Sequence, residues 1–228
     1  PAGAITISST TTGNTPTHGA IATTGGTTVS ITQADTNAVN TLSTAGAVTV
    51  TGNADTTSVT TVDAAVVAES ATKAGHTAGA VTVNDANKAS TTLAGTITDV
   101  SVTNAAAVTV NSSALTTLTL AGTVTSANLD TLGALATGAL TSLTVNTSTM
   151  VMSGALQVDA QVTTLNLANT GTSSIGDLDA SGATTINISG TGKLTLSALT
   201  STVASAAFTS TQTAGGLVIT AALGTAVA

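Results

Sequence analysis

Ala47-Val48-Thr49-Val50-Thr51 returns as Ala80-Val81-Thr82-Val83-Asn84 and again as Ala107-Val108-Thr109-Val110-Asn111. In each copy the two valines occupy alternate positions, with Thr between them and Thr or Asn after. Side chains of an extended chain point alternately to opposite faces, so each copy has a valine face and a polar face, the pattern of a half-buried β-strand. Val and Thr are both β-branched and stiff at χ1, which favours strand over helix. The alternation extends outward to Thr28-Val29-Ser30-Ile31-Thr32 on one side. On the other it continues through Thr117-Leu118-Thr119-Leu120, Ser142-Leu143-Thr144-Val145-Asn146, Thr164-Leu165-Asn166-Leu167, Thr185-Ile186-Asn187-Ile188 and Leu217-Val218-Ile219-Thr220. Turn formers such as Thr51-Gly52-Asn53, Asn84-Asp85-Ala86-Asn87 and Ser189-Gly190-Thr191-Gly192 punctuate the strands.

The signature starts at 47, 80 and 107, steps of 33 and 27, and later at 142, 164 and 185, steps of 22 and 21. Units of this size are too small to bury their own apolar face and must stack. The expected fold is all-β, a right-handed parallel β-helix running through residues 1–228 as a single repetitive segment. Tandem β-sandwich domains are the alternative, since evenly spaced short strands also suit them. Two Ala/Leu-rich stretches, Val62 to Ala74 and Asn128 to Leu140, read as a short helix or broad loop.

Composition supports the stacked reading. Of 228 residues, 42% are hydrophobic, yet there is no Trp or Tyr, one Phe and two Met. A globular core relies on aromatic anchors that each bury roughly 150–250 Å²; a thin core repeated along an axis does not need them. Only 6% of residues are charged, so Thr, Ser, Asn and Gly supply the polar surface. With no cysteine, neither disulfides nor Cys-based metal sites can form. Three lysines, no arginine and a net charge of −7 deny the chain the electrostatic footing for nucleic acid. No apolar run reaches the length of a membrane span. The start at Pro1 and the stop at Ala228 suggest a piece of something longer.

The phrases Gly46 to Val59, Gly79 to Ser90 and Thr184 to Gly190 resemble the β-strand-repeat regions of very large proteobacterial surface proteins. S-layer proteins of the Caulobacter type, exported by type I secretion and often ending in calcium-binding nonapeptides, belong to this group. The resemblance covers the whole chain through composition and repeated phrases. It implies an extracellular, cell-surface protein that self-associates into a lattice or fibre, with calcium in assembly and cell-surface polysaccharide as a further partner. The chain departs from that pattern in lacking the Gly-Gly-x-Gly-x-Asp nonapeptide.

Asp177-Leu178-Asp179-Ala180-Ser181-Gly182 copies the opening of a calcium loop, making Asp177 and Asp179 the candidate metal ligands. The twelfth position from Asp177 is Ile188, so the closing bidentate acid is missing. Asn53/Asp55, Asp85/Asn87, Asp35/Asn37 and Asn128/Asp130 are lesser pairs, each also a natural turn cap. His18 and His76 lie beside glycines and read as solvated loop residues. Glu69 is the sole glutamate, and no Gly-x-Ser-x-Gly elbow occurs. The function expected is therefore structural and not enzymatic. The rival is a binding module, an ice-binding solenoid or sugar-binding adhesin, built on Thr-x-Thr pairs such as Thr49/Thr51 and Thr117/Thr119. The unequal steps argue against a regular hydroxyl plane.

Overall fold

A computed structural model describes residues 3–12, 15–35, 43–64, 76–129, 140–200, 207–213 and 215–220. Those residues are all strand, turn and irregular chain, with no helix. The strands are β1 Ile5–Thr11, β2 Ile21–Thr24, β3 Thr28–Asp35, β4 Val48–Thr51, β5 Ser58–Ala64, β6 Ala80–Asn84, β7 Asp99–Ala105, β8 Ala107–Asn111 and β9 Thr117–Val124. They continue as β10 Ala127–Asn128, β11 Ser142–Gln157, β12 Thr164–Asn169, β13 Ser173–Asp179, β14 Thr185–Gly190, β15 Leu194–Thr200, β16 Ala207–Gln212 and β17 Leu217–Ile219.

Most strands pair with the strand two elements on; the long β11, which serves both faces, also pairs with its neighbours β10 and β12, and every pairing is parallel. Face 1 stacks β1, β3, β5, β7, β9, the first half of β11, β12, β14 and β16. Face 2 stacks β2, β4, β6, β8, β10, the second half of β11, β13, β15 and β17. One strand per face per coil is the topology of a parallel β-solenoid. The sandwich alternative fails here, because sandwiches are built from antiparallel pairs.

Register is kept although coil length is not. Ile21, Val48, Val81, Val108, Ala127, Leu156, Leu178 and Leu199 form one continuous file on face 2, across coils of 27, 33, 27, 19, 29, 22 and 21 residues. The differences are absorbed at the corners. Between β7 and β8 the corner is Ala106 alone, whereas β3 and β4 are separated by residues 36–47. Slipping one residue would turn every valine outward, so the buried face itself fixes the register.

The core lies between the two faces. On face 1, Val29, Val59, Val100, Leu118, Val145, Leu167 and Ile188 form a file in which no member is more than 2% exposed. Burying one such aliphatic side chain stabilises by about 1.5–3 kcal/mol. The sum over many thin rungs does the work that aromatic anchors do elsewhere.

At the entry to face 1 a threonine in several coils bonds to the coil before it. Thr98 Oγ1 donates to Thr57 O at 3.2 Å and Thr116 Oγ1 to Thr98 O at 3.1 Å. Thr163 Oγ1 donates to Thr141 O and Thr184 Oγ1 to Thr163 O, both at 3.1 Å. Threonine is thus more than a solvent-face strand former: at this corner its hydroxyl fastens coils together. Of the two Ala/Leu-rich stretches, Val62 to Ala64 ends β5, Asn128 ends β10, and most of the remainder lies outside the described residues.

Candidate functional site

Asp177 and Asp179 both lie on β13, either side of the inward Leu178, so their side chains leave the same outer face. Asp177 sits between Ala155 and Ala198 of the adjoining strands, and Asp179 between Gln157 and Thr200. Thr200 Oγ1 lies 3.4 Å from Asp177 Oδ1. The structure therefore brings the two predicted carboxylates together with neutral oxygen-bearing neighbours. Among the described residues no group of three or more His, Asp or Glu gathers as a metal cluster.

Two of the lesser pairs, Asn53/Asp55 and Asp85/Asn87, resolve into turn caps. Asn53 Oδ1 accepts the Asp55 N–H at 2.9 Å, an Asx-turn. Asp85 is only 1% exposed, and its carboxylate fastens three segments. Oδ1 accepts Asn87 N–H at 2.8 Å; Oδ2 accepts Thr96 N–H at 2.6 Å, Ile97 N–H at 2.8 Å and the Ser112 hydroxyl at 3.1 Å. Its oxygens are used by the protein's own donors, which makes it a structural anchor for the 85–97 excursion. Asn37 and Asp130, the second members of the other two pairs, lie outside the described residues, as does Glu69.

The histidines correct the sequence reading. His18 is 5% exposed, with Ser9 Oγ 3.0 Å from Nδ1 and Thr11 Oγ1 3.2 Å from Nε2. His76 stands between Ser43 Oγ, 2.6 Å from Nδ1, and Asp63 Oδ2, 2.6 Å from Nε2. Both are parts of an internal polar seam, not solvated loop residues. The cause lies in the strands: β1, β3 and β5 run past their aliphatic portion, and the inward positions turn polar. They read Ile5, Ile7, Ser9, Thr11 in β1; Val29, Ile31, Gln33, Asp35 in β3; and Val59, Thr61, Asp63 in β5. Following the inward parity of each strand to its end is the signal that would have found the seam.

Buried polar groups need partners, and the seam supplies them across coils. Gln33 Nε2 donates to Gly46 O at 3.1 Å while Gly46 N–H donates to Gln33 Oε1 at 2.9 Å. Asn104 Nδ2 donates to Asp63 O at 2.7 Å. Here glycine is required by closeness: a Cβ on Gly46 would overlap the carbonyl of Gly19, and one on Gly79 that of Gly46.

Ser43, His76 and Asp63 carry the groups of a nucleophile relay. Such chemistry also needs a serine open to substrate and donors for the developing oxyanion. Ser43 is 6% exposed, and the cavity beside Asp63, lined also by Gln33, Thr61 and Asn104, measures about 10 Å³. That is room for about one water molecule. The trio's geometry suits fastening the coils.

The outer surface is ordered over a longer range. Thr28, Ser58, Asp99, Thr117, Thr144, Asn166, Asn187 and Thr209 form one outward file on face 1; Thr6, Ser30, Thr60, Ser101, Thr119 and Asn146 form the next. Neighbouring amides bond along the files, as in Asn187 Nδ2 to Asn166 Oδ1 at 2.9 Å. Face 2 has its own amide ladder, with Asn111 Nδ2 donating to Asn84 Oδ1 at 2.7 Å. The unequal sequence steps thus do not prevent regular rows of polar groups, contrary to the sequence expectation. No helix among the described residues is long and apolar enough to cross a membrane. No family model matches the chain, and no curated protein matches it.

Proposed function

We propose that the chain is a structural, non-catalytic segment of a bacterial extracellular surface layer or cell-surface filament, acting through self-association of its β-repeats. The observation that carries this reading is the unbroken parallel stack with charge-poor outer rows. Asp99 is the only charged member of the two face 1 files named above, so little like-charge repulsion opposes the approach of another neutral surface. Type I export and a cell-surface location go with the repeat phrases that resemble S-layer regions.

Calcium enters this reading as a weak, assembly-linked ligand. Asp177 and Asp179 supply two carboxylates, whereas calcium takes six to eight oxygens, so the remainder come from neighbouring strands or a second chain. Electron microscopy of the purified chain, with and without millimolar calcium, tests the proposal: sheets or fibres support it, and dispersed single particles at high concentration count against it.

The aligned hydroxyl rows favour a second reading, a binding module for ice or for surface polysaccharide. Thermal hysteresis separates the two, because a lattice segment gives none.

A further inference from the structure

Face 1 carries an inference that rests on the self-association reading and names the surface responsible. Nine strands contribute to it, and β1, β3, β5, β7, β9, β12, β14 and β16 are each six to eight residues long. With about 4.8 Å between strands and about 3.3 Å per residue, the face measures roughly 38 Å by 20 Å, or about 800 Å². A stable pairwise interface takes about 800 Å² from each partner. Face 2 is narrower, since β2, β4, β6, β8, β10 and β17 have two to five residues, and it carries Asp177 and Asp179 on one strand.

No member of the two outward files of face 1 is buried, and Asp99 is the only charge in either. Serine and threonine hydroxyls and asparagine amides each donate and accept hydrogen bonds, so a surface made of them is complementary to itself. Its rungs also repeat at a single spacing. A second copy repeats at the same spacing, so its rows can settle between those of the first across the whole face, as paired sheets do. The lone Asp99 of each copy meets a neutral side chain at every offset of rungs but one.

We propose that face 1 is a lateral contact of the assembly and that its partner is face 1 of a second copy. The same surface serves both chains, so the contact is isologous and closes at two copies. Growth beyond the pair falls to other surfaces, among them face 2 with Asp177 and Asp179.

Thr119 lies in an outward file of face 1, on β9, and Thr82 is an outward threonine on β6 of face 2. Arginine at an isologous contact brings two guanidinium groups into one interface, where like charges oppose association. In chelator, sedimentation velocity of the unaltered chain should show species of two copies and above. Thr119→Arg should weaken pairing by more than about tenfold and Thr82→Arg should leave it unchanged, with circular dichroism confirming that both are folded. The chain has no cysteine, so a single introduced thiol gives a milder second measurement. The thiol of Thr119→Cys should react with a maleimide more slowly as concentration rises through the pairing range, and that of Thr82→Cys at a constant rate.

Pairing that survives Thr119→Arg, or is lost in Thr82→Arg instead, would overturn the face 1 contact and leave self-association standing. So would a Thr119→Cys thiol whose reactivity ignores concentration while the chain associates. Protection of that thiol only on addition of dextran would assign the face to neutral polysaccharide and also overturn the proposal. A chain that stays monomeric at every concentration would overturn both the contact and the reading beneath it.

Discussion

Asp63 Oδ2 lies 2.6 Å from His76 Nε2, and the two residues flank one corner of the stack, at the foot of β5 and the approach to β6. Their side chains are 11% and 15% exposed. A hydrogen bond to an ionised acceptor at this burial contributes about 1.5–3 kcal/mol. Asp63→Asn should therefore lower stability by about 1–3 kcal/mol in urea unfolding, whereas Asp55→Asn, at an exposed turn, should stay within about 0.5 kcal/mol. Equal effects from the two would show that the seam does not hold the corner.

Asp85 should be the most costly carboxylate to remove. Asp85→Ala strands the Asn87, Thr96 and Ile97 N–H groups, for an expected loss of about 3–5 kcal/mol. Hydrogen exchange should quicken first at the amides of Thr96 and Ile97. Unchanged protection at those two sites would contradict the anchor role.

Thr61 tests the seam with the opposite sign. It is 3% exposed between Ile31 and Val102, and its Oγ1 has no hydrogen-bond partner among the described residues. Thr61→Val removes the buried hydroxyl and keeps the shape, so it should stabilise by about 1 kcal/mol. A lower melting temperature would mean that the hydroxyl is bonded in solution.

Gly19 and Gly46 occupy the same corner position in successive coils but differ in what lies beneath them. A methyl on Gly46 meets the backbone of Gly19 and His18, while one on Gly19 meets nothing within 4 Å. Gly46→Ala should cost about 2–3 kcal/mol through overpacking against backbone, and Gly19→Ala under about 0.5 kcal/mol. Equal costs would contradict the stacking order of the coils.

Much of this architecture is legible in the valine and threonine alternation, because a period of two assigns every side chain to a face before any partner is known. The repeated Ala-Val-Thr-Val phrases that begin at 47, 80 and 107 even pair with one another in register, Val48 with Val81 and Val81 with Val108. What the alternation does not show is which loop a coil can spare. The steps of 33 and 27 obscure the polar rows because corner length is independent of strand register, and only the pairings reveal that Thr49, Thr82 and Thr109 form one row. The histidines were misplaced for a related reason. His18 and His76 sit beside glycines that look like loop punctuation, while the inward Ser9 and Asp63 that receive them lie in strands that end polar. Asp177 and Asp179 were legible as a pair, but their neighbours Gln157 and Thr200 come from other coils, beyond the reach of local spacing.

The central claim, a β-repeat segment that assembles with itself, is tested most directly by sedimentation velocity of the purified chain over a wide concentration range, in chelator and then in millimolar calcium. The account predicts large species that grow with concentration, and a calcium effect on their size rather than on the melting temperature of the monomer. A single monomeric boundary at every concentration in both buffers, or a large calcium-induced rise in the melting temperature of a demonstrated monomer, would contradict it.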